Sequence, residues 1–342
     1  MESPLIKTKL LIPRPRQRLV SRPALLERLS DGLAGRLTLI SASSGYGKTT
    51  LIAEWIAERG QDTPLAWVSL DQGDNDLAHF FSYLIAALQN VQDGLGQDSH
   101  AVMQGAQNSS HSSIMSLLIN ELASVPYDFA LVLEDYHVIV THEIQQMMVF
   151  ILEHLPPQMH LVILTRADPP FALARLRAKG ELIEIREKDL RFTPDYTAVF
   201  LRDLAGLNLS GANVQMLQDR TEGWITGLQL AALSLQGREN PTELIRAFGS
   251  GHDYIVDYLI EEVLERQPHN LKMFLLQTSI LSRLNGSLCA TLTGQSDGEA
   301  TLEHLEKANL FLAPLGDDSH WYRYHHLFAD VMTSRLQRWR SR

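Results

Sequence analysis

Six mostly apolar, β-prone residues, RLTLIS (36–41), run into the small turn ASSGYG (42–47), and the chain resumes as Lys48-Thr49-Thr50 at the head of an amphipathic segment. Few features restrict a fold more. A helix N-terminus presents unpaired backbone N–H groups and a partial positive charge. Glycines feeding into it let further N–H groups curl around an anion without Cβ interference. A lysine in the first turn can reach terminal phosphates, and the hydroxyl after it can ligate magnesium. The pattern is that of a P-loop, G-x-x-x-x-G-K-[ST], with Ala42 where the first glycine stands. Alanine costs little there if its φ is negative. Ser44, Gly45, Tyr46, Gly47, Lys48, Thr49 and Thr50 are therefore candidate phosphate-binding residues, with Thr49 also a metal ligand.

The rest of the chain fits a domain built around such a turn. Strand-like runs at 36–41, 65–70, 129–135, 160–166 and 182–186 alternate with helical patterns at 48–59, 77–92, 112–124 and 142–154. Near-continuous apolar strands separated by amphipathic helices predict a parallel sheet covered on both faces, an α/β P-loop NTPase domain. Residues 92–113, polar and rich in Gly and Ser, read as a surface loop. After Arg186 the alternation fades into helical patterns at 211–220, 223–236, 241–247, 253–266 and 268–278, and a last helix near 325–339. With 342 residues the chain is too long for one ordinary core. The expected layout is an extended lead-in (1–20), a P-loop domain (21–190), a helical domain (191–278) and a small terminal domain (279–342).

Two further strand ends carry chemistry. ALVLEDYH ends an apolar strand in Glu134 and Asp135, the form of a Walker B element. One carboxylate there can hold magnesium and the other can orient an attacking water, and the residues leave open which does which. LVILTRADPP brings Arg166 to a strand's C-terminal end, where ligands bind in open parallel sheets. An arginine so placed can reach a γ-phosphate. By contrast, the aromatics of EGWITGLQLAALSL, Trp224 among them, read as helix core, and no Cys/His spacing supports a zinc site.

Five stretches in this order carry a resemblance: TKLLIPRPRQRLVSRPALLERL, ASSGYGKTTLIAEW, LVLEDYHVI, LVILTRADPP and YRYHHLFADVM. The chain resembles the N-terminal part of MalT-like, LuxR-type transcriptional regulators, ATP-dependent activators of the STAND class of signal-transduction NTPases. The resemblance implies a nucleotide-binding oligomerisation module that takes ATP or ADP with Mg²⁺, and a winged helix as the terminal domain (279–342). It implies Lys48 and Thr49 on phosphates and metal, Glu134 and Asp135 in the Walker B role, and Arg166 as γ-phosphate sensor. A histidine of the winged helix, matched by His325 in YHHLF ahead of His326, is implied to meet the ADP phosphate. In related proteins a GLPL segment approaches adenine; here Gln229 stands where that proline does, in Gly227-Leu228-Gln229-Leu230.

The resemblance implies slow ATP hydrolysis serving a switch with nucleotide-dependent self-association. A small-molecule kinase is the competing enzyme class, but no clear set of substrate-pocket and lid basics stands out. A nucleotide-binding scaffold without hydrolysis is the third reading. A net charge of −10 argues against a nucleic-acid surface over the whole chain, and the tail arginines (335, 338, 340, 342) read as one helix face, so no DNA contact is expected of this segment. An inducer is expected to act through regions beyond these residues, and the full-length protein is expected to bind DNA. A single cysteine, Cys289, and no apolar run of 18 residues fit the cytoplasm and no membrane partner.

Overall fold

The structure is a computed structural model that describes residues 5–15, 18–59, 63–105, 111–237, 241–247, 254–308, 310–315 and 320–340. The chain divides into two compact units: Met1–Gln17, Ser21–Ala42 and Lys48–Asp189 form the first, and Arg18–Val20, Ser43–Gly47 and Leu190–Arg342 the second.

The first unit is built on five parallel strands, β1 (Leu37–Ser41), β2 (Leu65–Ser69), β3 (Phe129–Glu134), β4 (Met159–Thr165) and β5 (Leu182–Arg186), in the order β2-β3-β4-β1-β5. Every residue of β1 and β4 is buried. Because successive strand side chains point to opposite faces, unbroken burial means that both faces are covered. The helices that cover them are α1 (Pro23–Gly32), α2 (Lys48–Arg59), α3 (Leu77–Leu88), α4 (Gln97–Gly105), α5 (His111–Ala123), α6 (His142–Glu153) and α7 (Leu173–Ala178); α8 (Glu187–Leu190) follows β5. Pro23 opens α1 at a position where a missing N–H costs nothing. Strand β4 lies between β1 and β3, so the strand before the glycine turn and the strand ending in two acids are not neighbours. Register aligns Ser41 with Thr165 and Ser69 with Glu134.

Two expectations need correction here. Lead-in residues Lys7–Leu10 form a 3₁₀ turn rather than extended chain. Lys9 Nζ reaches Asp74 at 2.5 Å and Asp71 at 3.1 Å, and lies 4.4 Å from the centre of the Tyr83 ring. The Tyr83 hydroxyl accepts the Ile6 N–H at 2.9 Å. The polar stretch 92–113 is not all loop: α4 sits within it, and its residues 106–110 lie outside the described residues.

The second unit is mainly helical: α9 (Pro194–Val199), α10 (Gly211–Thr221), α11 (Ile225–Leu235), α12 (Pro241–Ala247), α13 (Tyr254–Tyr258), α14 (His269–Thr278), α15 (Gly286–Thr293), α16 (Gly298–Lys307) and α17 (His326–Arg340). The Thr193 hydroxyl caps α9 and Pro194 takes its first position. The patterns that continue past α9 and α13 are wider π-turns, Phe200–Leu204 and Leu259–Leu264. Strands β6 (Leu312–Pro314) and β7 (Tyr322–Tyr324) pair antiparallel ahead of α17. Of the tail arginines, the side chains at 338, 340 and 342 lie outside the described residues.

Candidate functional site

In the first unit, the end of β1 and the start of α2 hold Lys48 in a buried position, 8% exposed, with its ammonium donating to the Ala42 carbonyl at 2.7 Å. Burial first, and then the Arg166 charge, push that ammonium down to about 8, against the pull of Asp135, Glu187 and Glu134. Arg166 follows β4 directly, and because β4 pairs with β1 it emerges beside Ala42. Thr50 lies one residue further into α2.

The same unit separates the two acids that the sequence leaves equivalent. Both Glu134 oxygens are engaged: Thr49 Oγ1 donates to one at 2.5 Å and Ser69 Oγ to the other at 2.6 Å. Asp135 has φ 56° and ψ 36°, the left-handed region that few non-glycine residues adopt. Its carboxylate is half exposed and lies 3.7 Å from His137 Nδ1. Thr49 and Glu134 are thus brought together, while the Asp135 charge acts on Lys48. Among the described residues no group of three or more His, Cys, Asp or Glu is placed to hold a metal ion.

The glycine turn 43–47 belongs to the second unit. Gly45 and Gly47 have φ of 81° and 76°, whereas Ala42 is not among the positive-φ residues. The Trp224 indole N–H donates to the Ser44 carbonyl at 3.0 Å. Both the backbone N–H and the hydroxyl of Thr226 donate to the Gly45 carbonyl at 3.1 Å. Ser44 Oγ lies 2.8 Å from the Tyr258 hydroxyl, and Tyr46 is fully buried. In the run 227–230, Gly227 is packed so closely that a Cβ would meet the Trp224 ring at 2.6 Å.

His325, 3% exposed, has Nε2 2.8 Å from the Thr221 carbonyl. A carbonyl only accepts, so Nε2 carries the proton. The His325 ring lies 6.2 Å from the Trp224 ring, and Phe311 stands edge-on to both. His326 is exposed, and its backbone N–H reaches Glu222 at 3.3 Å. Glu222 itself, at φ 49°, binds Arg323 through two nitrogens at 2.7 and 2.9 Å and Arg191 at 3.0 Å. Burial alone would raise its carboxyl, but the Arg323 bonds with the His325, Arg323 and Arg191 charges hold it at about 2.

Sequence reasoning passed over Ser69, Thr226 and Glu222, and placed Trp224 in a helix core. Only Trp224 carried a usable signal, because a buried indole N–H must find an acceptor.

Comparison with known proteins follows the same lines. A family model described as the MalT winged helix domain matches residues 260–342. Curated relatives named HTH-type transcriptional regulator MalT, from Cronobacter sakazakii and Yersinia pestis, are each 37% identical over 97% of this chain. The chain spans 37% of the length of those relatives. Two solved structures share the fold. A STAND protein with a tetratricopeptide repeat sensor from Pyrococcus horikoshii is 17% identical at a TM-score of 0.50, matching 97% of this chain and 44% of its own. A Walker-type ATPase of Pyrococcus abyssi is 14% identical at 0.57, matching 93% and 98%. No helix among the described residues is long and apolar enough to cross a membrane. In sequence, this chain is similar over 97% of its length to MalT transcriptional regulators, and its residues 260–342 match the MalT winged helix domain.

Proposed function

We propose that this region binds ATP and ADP and acts as the nucleotide-dependent switch of a MalT-like regulator. The observation that carries the reading is Lys48: a buried ammonium, held near neutrality at about 8, directly after two positive-φ glycines. A buried cation is stabilised by a neighbouring anion, and the turn Ser44–Gly47 supplies N–H groups suited to phosphate oxygens. Bound nucleotide would supply the phosphates and, with Mg²⁺, the charge that Lys48, Thr49, Thr50 and Arg166 meet.

Glu134 is the better magnesium-side acid, since it already shares a contact with the Thr49 hydroxyl. A site with so few protein ligands suits magnesium, which keeps several waters and takes oxygens from phosphates. That leaves Asp135 as the acid able to orient a water for slow hydrolysis. Arg166, close enough to depress the Lys48 ammonium, is the residue we assign to the γ-phosphate. His325 is assigned to the ADP-bound state on the family pattern.

A ligand shifts a conformational equilibrium only by its differential affinity for the two states, and moving 1:99 to 99:1 takes roughly 5.5 kcal/mol. The contacts of Arg166 with a γ-phosphate, present for ATP and absent for ADP, are one source of that difference. Self-association driven by ATP, an inducer acting through other regions, and DNA binding by the complete regulator belong to the same proposal, with no DNA contact on these residues. The domain limits at 190/191 and 278/279 are the working division for it.

The test is oligomer size by light scattering with Mg-ADP and with a non-hydrolysable Mg-ATP analogue, in wild type and Lys48→Ala. Larger species with the analogue alone, lost in the variant, are expected. Identical sizes in all four samples would overturn the switch.

A further inference from the structure

The phosphate turn is held from behind by the first turn of a single helix. Residues Ser44 and Gly45 turn their carbonyls toward the N-terminus of α11, where Trp224 is the cap residue. The first carbonyl takes the Trp224 indole N–H, and the second takes both the N–H and the hydroxyl of Thr226. Helix α11 thereby finds a partner for one of the backbone N–H groups that every helix start leaves unpaired.

Peptide geometry gives this a consequence on the opposite side of the loop. All the described peptide bonds are trans. In a trans peptide the C=O of one residue and the N–H of the next point in opposite directions. Fixing the Ser44 carbonyl against Trp224 therefore aims the Gly45 N–H away from α11. Fixing the Gly45 carbonyl against Thr226 does the same for the Tyr46 N–H. Two successive N–H groups directed to one side form an anion-binding concavity. Gly45 is matched to this arrangement twice over. Its φ of 81° is open to glycine, and a Cβ on it would meet Thr226 Oγ1 at 2.5 Å and Trp224 Nε1 at 2.7 Å.

We infer that Trp224 and Thr226 are positioning residues for the phosphates of a nucleoside di- or triphosphate, acting through the Ser44 and Gly45 carbonyls that they hold. The inference rests on the nucleotide reading above for its ligand, but the clamp itself is independent of it. Neither side chain touches phosphate; each sets the direction of an N–H that does. The indole ring has a separate packing duty against Phe311 and Tyr258, and phenylalanine at 224 keeps an aromatic ring there while losing the donor.

The experiment uses Trp224→Phe combined with Thr226→Val, with Thr226→Ser as the conservative control that keeps the hydroxyl. Two quantities are read: Mg-ADP affinity by calorimetry, and backbone ¹⁵N order parameters of Gly45 and Tyr46 without nucleotide. In the double variant, affinity is expected to fall on the order of 10- to 100-fold, as for two lost hydrogen bonds of about 1 kcal/mol or more each. The order parameters should drop from about 0.85 toward 0.6, while Thr226→Ser stays near wild type in both. Unchanged order parameters overturn the clamp whether or not nucleotide binds. Loosened amides with wild-type affinity overturn the positioning role and leave the nucleotide reading standing. Failure of the wild-type protein to bind Mg-ADP, with loosened Gly45 and Tyr46 amides in the double variant, overturns the nucleotide reading and with it the phosphate role, and leaves the carbonyl clamp as a purely structural contact.

Discussion

The Thr49 hydroxyl meets a Glu134 carboxylate oxygen at 2.5 Å, although β1, which leads toward the helix carrying Thr49, and β3, which carries Glu134, are separated in the sheet by β4. The contact joins the first turn of α2 to the end of β3, and Ser69 on β2 holds the second oxygen. A hydroxyl and a carboxylate already paired are well placed to share a divalent cation. With Glu134→Gln, the gain in ATP affinity that magnesium gives should shrink to within about threefold, because a neutral amide is a poor magnesium ligand. Asp135→Asn should leave that gain intact. Calorimetry with Mg²⁺ and with EDTA decides it, and a gain that vanishes in Asp135→Asn alone would reverse the assignment of the two acids.

Nucleotide affinity should depend on pH through Lys48. Its ammonium is depressed to about 8 by burial and then by Arg166, and neighbouring phosphates would raise it again. Binding then takes up a proton in the range above 8. Affinity is flat with respect to this group below pH 8 and falls as pH rises past it, by up to about tenfold per unit. Lys48→Ala removes both the dependence and the affinity, costing about 2–5 kcal/mol. Mg-ADP titrations at pH 7, 8, 9 and 9.5 test the sign. Affinity that rises over this range would show that Lys48 does not meet phosphate.

Much of this arrangement was legible in the sequence, for a physical reason. Strands β1, β3 and β4 are buried on both faces, so their apolar runs are unbroken and their ends sharp. The glycine turn is local, and its positive-φ positions are the glycines themselves. What could not be read depends on partners distant along the chain. The lead-in turn at Lys7–Leu10 owes its anchoring to Asp71 and Asp74, 62 and 65 residues away from Lys9. Helix α4 has Ser99 as its one residue described as fully buried, so no apolar stripe announces it. Trp224 is indeed buried, as its composition suggested, but its indole acceptor lies 180 residues upstream, and nothing near it in sequence points there.

The lead-in contact has a measurable worth. Asp74 is fully buried, and Lys9 is the cation that meets it, with Lys9 itself raised above its ordinary value by Asp74 and Asp71 against the cost of burial. Lys9→Met keeps the stem over Tyr83 and deprives the buried Asp74 carboxylate of its lysine, with His79 Nδ1 remaining 3.7 Å away. Such a break costs about 3 kcal/mol. Urea denaturation should show that loss, and adding Asp74→Asn should restore part of it, since the two residues act on one interaction. Additive losses in the double variant would mean that the pair is not coupled.

Glu222 offers the clearest stability signature in the second unit. It occupies the left-handed region at φ 49°, a conformation that costs a non-glycine residue about 1 kcal/mol or more, and its carboxylate is held by Arg323 and Arg191. The folded carboxyl sits at about 2 against an ordinary 4.5. A depressed acid stabilises the fold fully above its ordinary value, and the contribution disappears as pH falls from 4.5 toward 2. At neutral pH it is worth on the order of 2–3 kcal/mol. Glu222→Gln should therefore be less stable than wild type at pH 7, and the gap should close progressively below pH 4.5. Glu222→Gly separates the two effects, since it relieves the backbone while losing both arginines, and should fall between wild type and Glu222→Gln at pH 7. Unfolding followed at pH 7, 5 and 3.5 gives the comparison. A gap that stays constant with pH would show that packing, rather than the charge held between Arg323 and Arg191, keeps this turn in place.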